Sequence, residues 1–392
     1  MRETPVPVGR APWVLRRRRR RLRASATGLP YAAAGALAGV LLPTIHSGPT
    51  VDAANVAPLL QGMAGGLIAL TGLVFSLLLL VVQHVNTALS PRLMLFRDNP
   101  LVWHALGLFV GSFLFAVAAS LAARHDKRMT LVVPVVAVAL ILACMAVGGN
   151  LELRGLSAVQ FERVLQRVTG QGLRMLAEQY RTPIRQTPQP APELPAESRA
   201  VVWPHRYALL QQVDVPRLTE LAATHGGTIL LPYPPGATIP FRGTAFRLYG
   251  PSRALSDAEL LGTLDVGVDR TFEQDPLFAF RLLNDIALRA LSPAINDPYT
   301  AVRAIDGLTD LLLAVADRNL DIGTVRDVRG RPLVVAHLPD WPAFVAAATE
   351  LVPYLDGAPS VRDRMLRMVD ELAAAVPAER RDALHAAVRP LR

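Results

Sequence analysis

The N-terminal part of the chain alternates between long apolar runs and short polar segments. Four runs contain no Asp, Glu, Lys or Arg, and they cover residues 28–43, 59–82, 101–122 and 130–148. Their lengths approach the roughly 20 residues that an α-helix needs to cross the hydrocarbon core of a bilayer. A helix also lets each run satisfy its own backbone hydrogen bonds in lipid. The pattern predicts an integral membrane α-helical protein with four transmembrane helices, within residues 26–150.

The pattern changes after residue 150, where apolar residues recur between charged ones. Helical spacing predicts an amphipathic helix over 151–181 that continues from the fourth span, and a proline-rich stretch predicts a linker over 182–198. Short alternating segments predict a small mixed β/α domain at 199–252. A mainly helical domain with a short hairpin is predicted at 253–392. We interpret this part as a cytoplasmic α+β region.

Composition supports a membrane protein and changes the interpretation of the charge. Of the 392 residues 51% are hydrophobic and 19% charged, and the mean hydropathy of +0.30 excludes a purely soluble enzyme or a disordered chain. The net charge of +9 comes almost entirely from arginine, since Lys127 is the only lysine. A genome-wide coding bias explains this better than nucleic-acid binding does, so no nucleic-acid partner is predicted.

A basic tail, residues 1–25, precedes the first apolar run and carries the arginines between Arg16 and Arg23. Arginines beside a span stay on the cytoplasmic side and contact anionic lipid headgroups. We therefore predict a multi-pass protein of the inner (plasma) membrane with both termini in the cytoplasm. The loop at 124–128 carries three cations on the predicted outer side and departs from this rule. A secretory or twin-arginine signal is the alternative, although no clean cleavage site follows the run.

Few residues indicate chemistry. Cys144 is the only cysteine and lies in an apolar run, and the histidines lack the spacing of a zinc site. A nucleophile elbow, a phosphate loop and a dinucleotide fingerprint are also absent from the sequence. We predict no catalytic residue, no cofactor and no metal ligand, and hence a protein that is not an enzyme.

Three G-x-x-x-G pairs lie on the first three predicted spans. Glycines four apart leave a smooth stripe on a helix, so that a second helix can approach closely. The pattern indicates tight helix packing, within or between chains, although chance matches are common in a chain rich in Ala and Gly. The pairs are Gly35 and Gly39, Gly62 and Gly66, and Gly107 and Gly111.

The second predicted span is followed by the turn Ser90, Pro91 and Arg92. Proline restricts the residue before it, and arginine anchors at the headgroups. This membrane-interface turn is predicted to end the span, and a gating role is the alternative.

A polar cluster in the helical part is the strongest candidate for a binding site. Asp-Pro pairs at 275–276 and 297–298 predict two helix starts, and carboxylates, amides and arginines lie between and after them. N-capping and a buried polar network that joins two helices are the structural explanations; ligand or ion binding and catalysis are the functional ones. The candidate residues are Asn284, Asp285, Arg289, Ser292, Asn296, Asp297 and Asp306.

Two segments resemble a known family. They are AFRLLNDIALRALSPAINDPYTAVRAIDGL at 279–308 and FSLLLLVVQHVNTALSPRLMLFRDNPLVWHALGLFVGSFLF at 75–115. Both are similar to the bacterial predicted membrane protein family known as domain of unknown function 2254. The resemblance implies four spans and a cytoplasmic C-terminal region, and it implies no established activity or functional residue.

Three functions remain open from the sequence. The first is a homo-oligomeric, channel-like protein that passes a small solute and is gated by its cytoplasmic domain. Spans without charged residues argue against a proton- or sodium-coupled carrier. The second is a non-conducting scaffold or sensor that binds an unidentified cytoplasmic protein, and the third is a membrane-anchored enzyme.

Overall fold

A computed structural model describes residues 28–45, 49–88, 100–123, 128–158, 161–184, 192–251 and 255–391. The chain divides into two compact units, a membrane unit of apolar helices and a C-terminal unit that begins at Glu162. The arginine tail at Arg16 to Arg23 and the turn at Ser90, Pro91 and Arg92 lie outside the described residues.

Four apolar helices form the membrane unit: α1 (Gly28–Leu41), α2 (Ala53–Ala88), α3 (Pro100–Ala123) and α4 (Val132–Ala158). Helices α2, α3 and α4 contain stretches long and apolar enough to cross a bilayer, over Ala53–Leu77, Leu101–Ala123 and Val132–Leu151.

Helix α1 is shorter, so the predicted set of four transmembrane helices is not confirmed. Its 14 residues are followed by one 3-10 turn, Leu42–Thr44, that contains Pro43. At 1.5 Å per residue the described part of α1 extends about 21 Å, whereas the hydrocarbon core is about 30 Å thick. The structure therefore supports three spanning helices, and a crossing by α1 is part of the proposal below.

Glycines bring α1 and α3 into backbone contact. A Cβ added at Gly35 would overlap the carbonyl of Gly111, and one added at Gly39 would lie 2.7 Å from the carbonyl oxygen of Phe115. Gly107 lies against the ring of Tyr31 in the same way. The motifs on α1 and α3 therefore pack within the chain, as the small size of glycine allows.

The glycine pair on α2 behaves differently. A Cβ at Gly62 or Gly66 would meet no atom within 4 Å. A different face of α2 contributes Leu60, Met63 and Leu67 to the core of the membrane unit. The Gly62 and Gly66 side is exposed in a single copy of the chain.

A two-stranded ladder joins the segments before α2 and before α4. Strands β1 (Thr50–Asp52) and β2 (Arg128–Thr130) are antiparallel, with Thr50 opposite Thr130 and Asp52 opposite Arg128. The α1–α2 and α3–α4 connections therefore lie at the same end of the membrane unit.

Two sheets form the β part of the C-terminal unit. A mixed five-stranded sheet has the order β3-β7-β5-β10-β9, in which only the β5–β10 pair is parallel. An antiparallel sheet has the order β6-β4-β8. The strands are β3 (Glu197–Val202), β4 (Ala208–Val213), β5 (Thr228–Leu231), β6 (Thr238–Ile239), β7 (Thr244–Tyr249), β8 (Leu264–Gly267), β9 (Thr324–Arg326) and β10 (Pro332–Ala336).

The five-stranded sheet combines segments that are far apart in the sequence. Strand β5 lies in the region predicted as a small mixed domain at 199–252, and β10 lies in the region at 253–392. The hydroxyl of Thr228 donates to the carbonyl of Pro332 at 2.7 Å, beside the parallel pair. The two regions therefore share one sheet.

Eight helices complete the described C-terminal unit. Helix α9 packs against both α8 and α11, and α5 contacts α8 and α9, since Gly172 lies against Ala279 and Leu311. The helices are α5 (Phe161–Gln179), α6 (Val215–His225), α7 (Asp257–Leu261), α8 (Phe278–Ala290), α9 (Pro298–Ala316), α10 (Trp341–Ala348), α11 (Pro359–Ala375) and α12 (Ala378–Ala387).

Candidate functional site

The structure places Asn284 in a helix contact. Its side chain is buried on α8, and Nδ2 donates to the carbonyl oxygen of Phe280 at 2.9 Å and to that of Ala347 at 2.6 Å. The second bond joins α8 to α10. Oδ1 of the same amide has no hydrogen-bond partner among the described residues.

Four residues of the predicted cluster shape the turn between α8 and α9. Asp297 caps α9, with Oδ1 accepting from the backbone of Thr300 at 3.1 Å and Oδ2 accepting from its hydroxyl. Asn296 adopts a positive φ of 49°, which asparagine tolerates better than most residues. The hydroxyl of Ser292 donates to the carbonyl of Arg289 at 2.7 Å. These contacts account for the turn without a ligand.

Asp306 belongs to an ion-pair network on the other side of α9. Its Oδ1 lies 2.7 Å from Nε of Arg364 on α11, and its Oδ2 lies 2.9 Å from Nη1 of Arg303. Arg303 also forms a two-point contact with Glu162 on α5, at 2.7 and 3.2 Å. The Arg303 hydrogen bonds lower the pKa of Glu162. The network ties α5, α9 and α11 together.

The predicted cluster is therefore divided between separate contacts. Asn284 joins α8 to α10, Asp297 lies at the start of α9, and Asp306 joins α9 to α11. Asp285 and Arg289 are partly buried one turn apart on α8, and each interacts with another group. The structure does not assemble these residues into one site.

A different centre forms around Asp275, which the sequence indicated both as the start of a helix and as one carboxylate of the acidic segment at 275–306. Its side chain is 2% exposed, and Oδ2 lies 2.8 Å from Nη1 of Arg270. Oδ1 accepts from the backbone of Leu277 at 3.0 Å, which places the start of α8 at Phe278 rather than at Pro276. The carboxylate also lies against Gly236, where an added Cβ would overlap it.

Opposing effects act on the ionisation of Asp275. Burial raises the pKa of Asp275, whereas the charges of Arg270 and Arg281 and the backbone hydrogen bond from Leu277 lower it. The effect of burial is larger, so the pKa is raised overall. Tyr180, at the end of α5, is also buried, and burial and the nearby Asp275 both raise the pKa of its hydroxyl. Three separate segments thus meet at one buried charge pair: the end of α5, the turn at Gly236 and the stretch 270–281.

Polar atoms around this pair have unused hydrogen-bonding capacity. Among the described residues, four buried atoms of this region have no hydrogen-bond partner: Tyr180 Oη, Thr271 Oγ1, Glu273 Oε2 and Arg281 Nε. A buried donor or acceptor left without a partner costs about 1–3 kcal/mol. Such groups in a native structure are typically satisfied by ordered water or a ligand. The Asp275 centre is therefore the best candidate for a polar binding or switching site.

The chemistry available at the Asp275 centre is recognition or proton binding. One carboxylate, two guanidinium groups and a phenol can exchange hydrogen bonds with a small polar molecule. No group of three His, Cys, Asp or Glu suited to a metal occurs among the residues that the structure describes. Sequence reasoning included Asp275 among the candidate carboxylates but missed its partners, because they come from distant segments. The mostly polar segment at 269–275 was the one local signal.

The fold defines a helical membrane protein with a C-terminal α+β unit that holds a buried charge centre. The chain belongs to the family described as predicted membrane protein (DUF2254), whose model matches residues 26–371. This confirms the resemblance inferred from the two sequence segments.

The chain is also similar to uncharacterized proteins of Mycobacterium bovis and Mycobacterium tuberculosis. Each is 29% identical over 328 residues, which cover 78% of this chain and 61% of the relative. The chain thus spans about three fifths of the length of these curated relatives. No solved structure matches the chain.

Proposed function

We propose that the protein is an oligomeric, multi-pass inner-membrane protein that passes a small solute or ion. In this proposal α1 is a fourth span, both termini are cytoplasmic, and the Arg16 to Arg23 tail contacts anionic headgroups. The C-terminal unit regulates passage from the cytoplasmic side. We assign no reaction, no cofactor and no nucleic-acid partner to the chain.

The outer face of α2 carries this proposal. Gln61, Gly62, Gly66, Gly72 and Ser76 are exposed on the side of the helix away from the core. A glutamine in hydrocarbon is unfavourable unless it faces another protein or water. Small residues let helices of neighbouring copies approach, and weakly polar ones can line a narrow aqueous path. We therefore infer that α2 faces an axis shared between copies.

Native mass in mild detergent, followed by flux in vesicles, tests this function. We expect a closed oligomer, which Gly62→Leu combined with Gly66→Leu disrupts, with loss of solute or ion flux. Ala139→Leu is the matched control, because Ala139 is exposed on α4 and is also a small residue in a span. A monomer without flux under voltage, tension and pH steps would contradict the proposal.

A non-conducting sensor or scaffold is the second candidate. The partnerless polar atoms around Asp275 favour it, because they suit a unit that binds a polar ligand or changes state. Cross-linking in cells would then recover a cytoplasmic protein with the wild type and lose it with Asp275→Asn. Recovery of no protein above background counts against this function. A membrane-anchored enzyme is the third candidate, and no observed geometry favours it.

A further inference from the structure

One end of the three-stranded sheet carries exposed apolar side chains. Tyr207 is 77% exposed, Phe241 59% and Val268 93%. In the sheet Ala208 pairs with Ile239 on one side, and Leu209 pairs with Gly267 on the other. All three apolar residues therefore lie at the same end, which we call the β4 tip: residues 203–207, 240–243 and 268.

Two arginines lie in the same loops as Tyr207 and Phe241, whereas Val268 is followed by Asp269. Arg206 and Arg242 are exposed, and the guanidinium of Arg242 lies 5.2 Å from the centre of the Phe241 ring. The two loops of the β4 tip, WPHRY and PFRG, contain no acidic residue. Aromatic and apolar groups combined with arginine match the headgroup layer of an anionic membrane, where the rings enter the interface and the cations contact phosphate.

Backbone contacts hold the β4 tip in place. Trp203 is buried, its amide donates to the carbonyl of Gly243 at 2.8 Å, and its indole donates to the carbonyl of Arg206 at 2.8 Å. The amide of Arg242 donates back to Trp203, and Arg242 keeps a positive φ of 61°. A loop held in this way loses little conformational freedom when it binds a surface.

We propose that the β4 tip inserts into the headgroup layer of an anionic bilayer. The chain supplies the proximity, because the C-terminal unit is covalently connected to the apolar helices of the membrane unit. Tethering converts a weak surface contact into an intramolecular one with a high effective concentration. This contact is independent of whether the protein conducts a solute.

Fluorescence of the full chain in vesicles tests the β4 tip. Cys144→Ala removes the only cysteine, and Val268→Cys is then labelled with the polarity-sensitive dye NBD. In vesicles with about 30% phosphatidylglycerol we expect the emission of the dye to shift to the blue. Spin-labelled lipid should quench about half of this emission, because interfacial groups lie about 5–10 Å into the headgroup boundary. Val328→Cys, at a 63% exposed position in the β9–β10 turn, is the control and should stay water-like.

Charge reversal separates headgroup binding from other contacts. Arg206→Glu combined with Arg242→Glu should abolish the quenching at position 268. Salt at about 1 M should also abolish this quenching, because the Debye length then falls to about 3 Å. Arg329→Glu combined with Arg381→Glu reverses the charge of two exposed arginines outside the β4 tip and should leave the quenching at position 268 unchanged. Equal quenching at 268 and 328 would overturn the proposal. A blue shift without lipid quenching would overturn it too, because the tip would then be covered by protein.

Discussion

At the scale of single residues, Asp275 links the ionisation of one buried group to the stability of the C-terminal unit. Its pKa is raised, so the folded state holds the proton more tightly than the unfolded state does. The contribution to stability is therefore full below the ordinary pKa of about 3.9 and falls as pH rises through the pKa of the folded state.

We expect Asp275→Asn to remove this decline in the free energy of unfolding with rising pH. Urea unfolding of the full chain, followed by tryptophan fluorescence from about pH 4 to pH 8, measures the slope. Asp321→Asn, at an exposed position, is the matched control and should keep the wild-type slope. Identical slopes for wild type and Asp275→Asn would show that Asp275 does not titrate in this range.

Two glycines with positive φ provide a test of the contact between Asp275 and the turn at 234–237. Gly236 has φ +89° and no room for a Cβ beside the carboxylate, whereas Gly330 has φ +79° and nothing within 4 Å. Gly330→Ala should lower the free energy of unfolding by about 1–2 kcal/mol, the cost of the left-handed backbone alone. Gly236→Ala should lower the free energy of unfolding clearly more than Gly330→Ala does. Equal losses for the two variants in urea unfolding would contradict the close contact between Gly236 and Asp275.

At the scale of elements, the same glycine motif has two outcomes. On α1 and α3 it brings backbones of one chain together, and on α2 it leaves an exposed face. We expect Gly35→Ala to lower the thermal stability of the membrane unit in detergent, since the new methyl overlaps the Gly111 carbonyl. Gly62→Ala adds a methyl in open space and should leave a dissociated monomer unchanged. Equal melting temperatures for the two variants would argue against the α1–α3 contact.

Patterns within one element were the ones that could be predicted from the sequence. The Asp-Pro pair at 297–298 predicts the start of α9, which begins at Pro298, and apolar run length predicts the helices of the membrane unit. The run at 28–43 suggested a full span, but the regular helix ends at Leu41, just before Pro43.

Contacts between distant segments could not be predicted in this way. Spacing grouped Asp285, Asp297 and Asp306, whereas packing directs them to different neighbours. The Asp275 centre draws on the end of α5, the turn at Gly236 and the segment before α8, and no local pattern relates these pieces. Burial of a charge pair becomes visible only when the fold is known.

At the scale of the whole molecule, the β1–β2 ladder makes a prediction about topology. It places the α1–α2 and α3–α4 connections at one end of the membrane unit. In a Cys144→Ala background, Thr50→Cys and Arg128→Cys should both react with an impermeant maleimide from the same side of the membrane, which is the outer side in the topology proposed above. Val328→Cys, exposed in the C-terminal unit, should react only after permeabilisation. Labelling of positions 50 and 128 from opposite sides would contradict the ladder.

The parallel pair of β5 and β10 also determines when the five-stranded sheet can be completed during synthesis. Thr228 and Pro332 are 104 residues apart, a stretch that a ribosome needs about 5–20 s to translate. Until β10 is synthesised, β5 can pair only with β7, and its other edge stays uncovered. Such edges promote aggregation. The apolar helices leave the ribosome first and can enter the bilayer while the sheet is still incomplete. A nascent chain that stops before residue 332 would therefore be anchored in the membrane with an open sheet edge, which makes it a natural substrate for membrane-bound quality-control proteases.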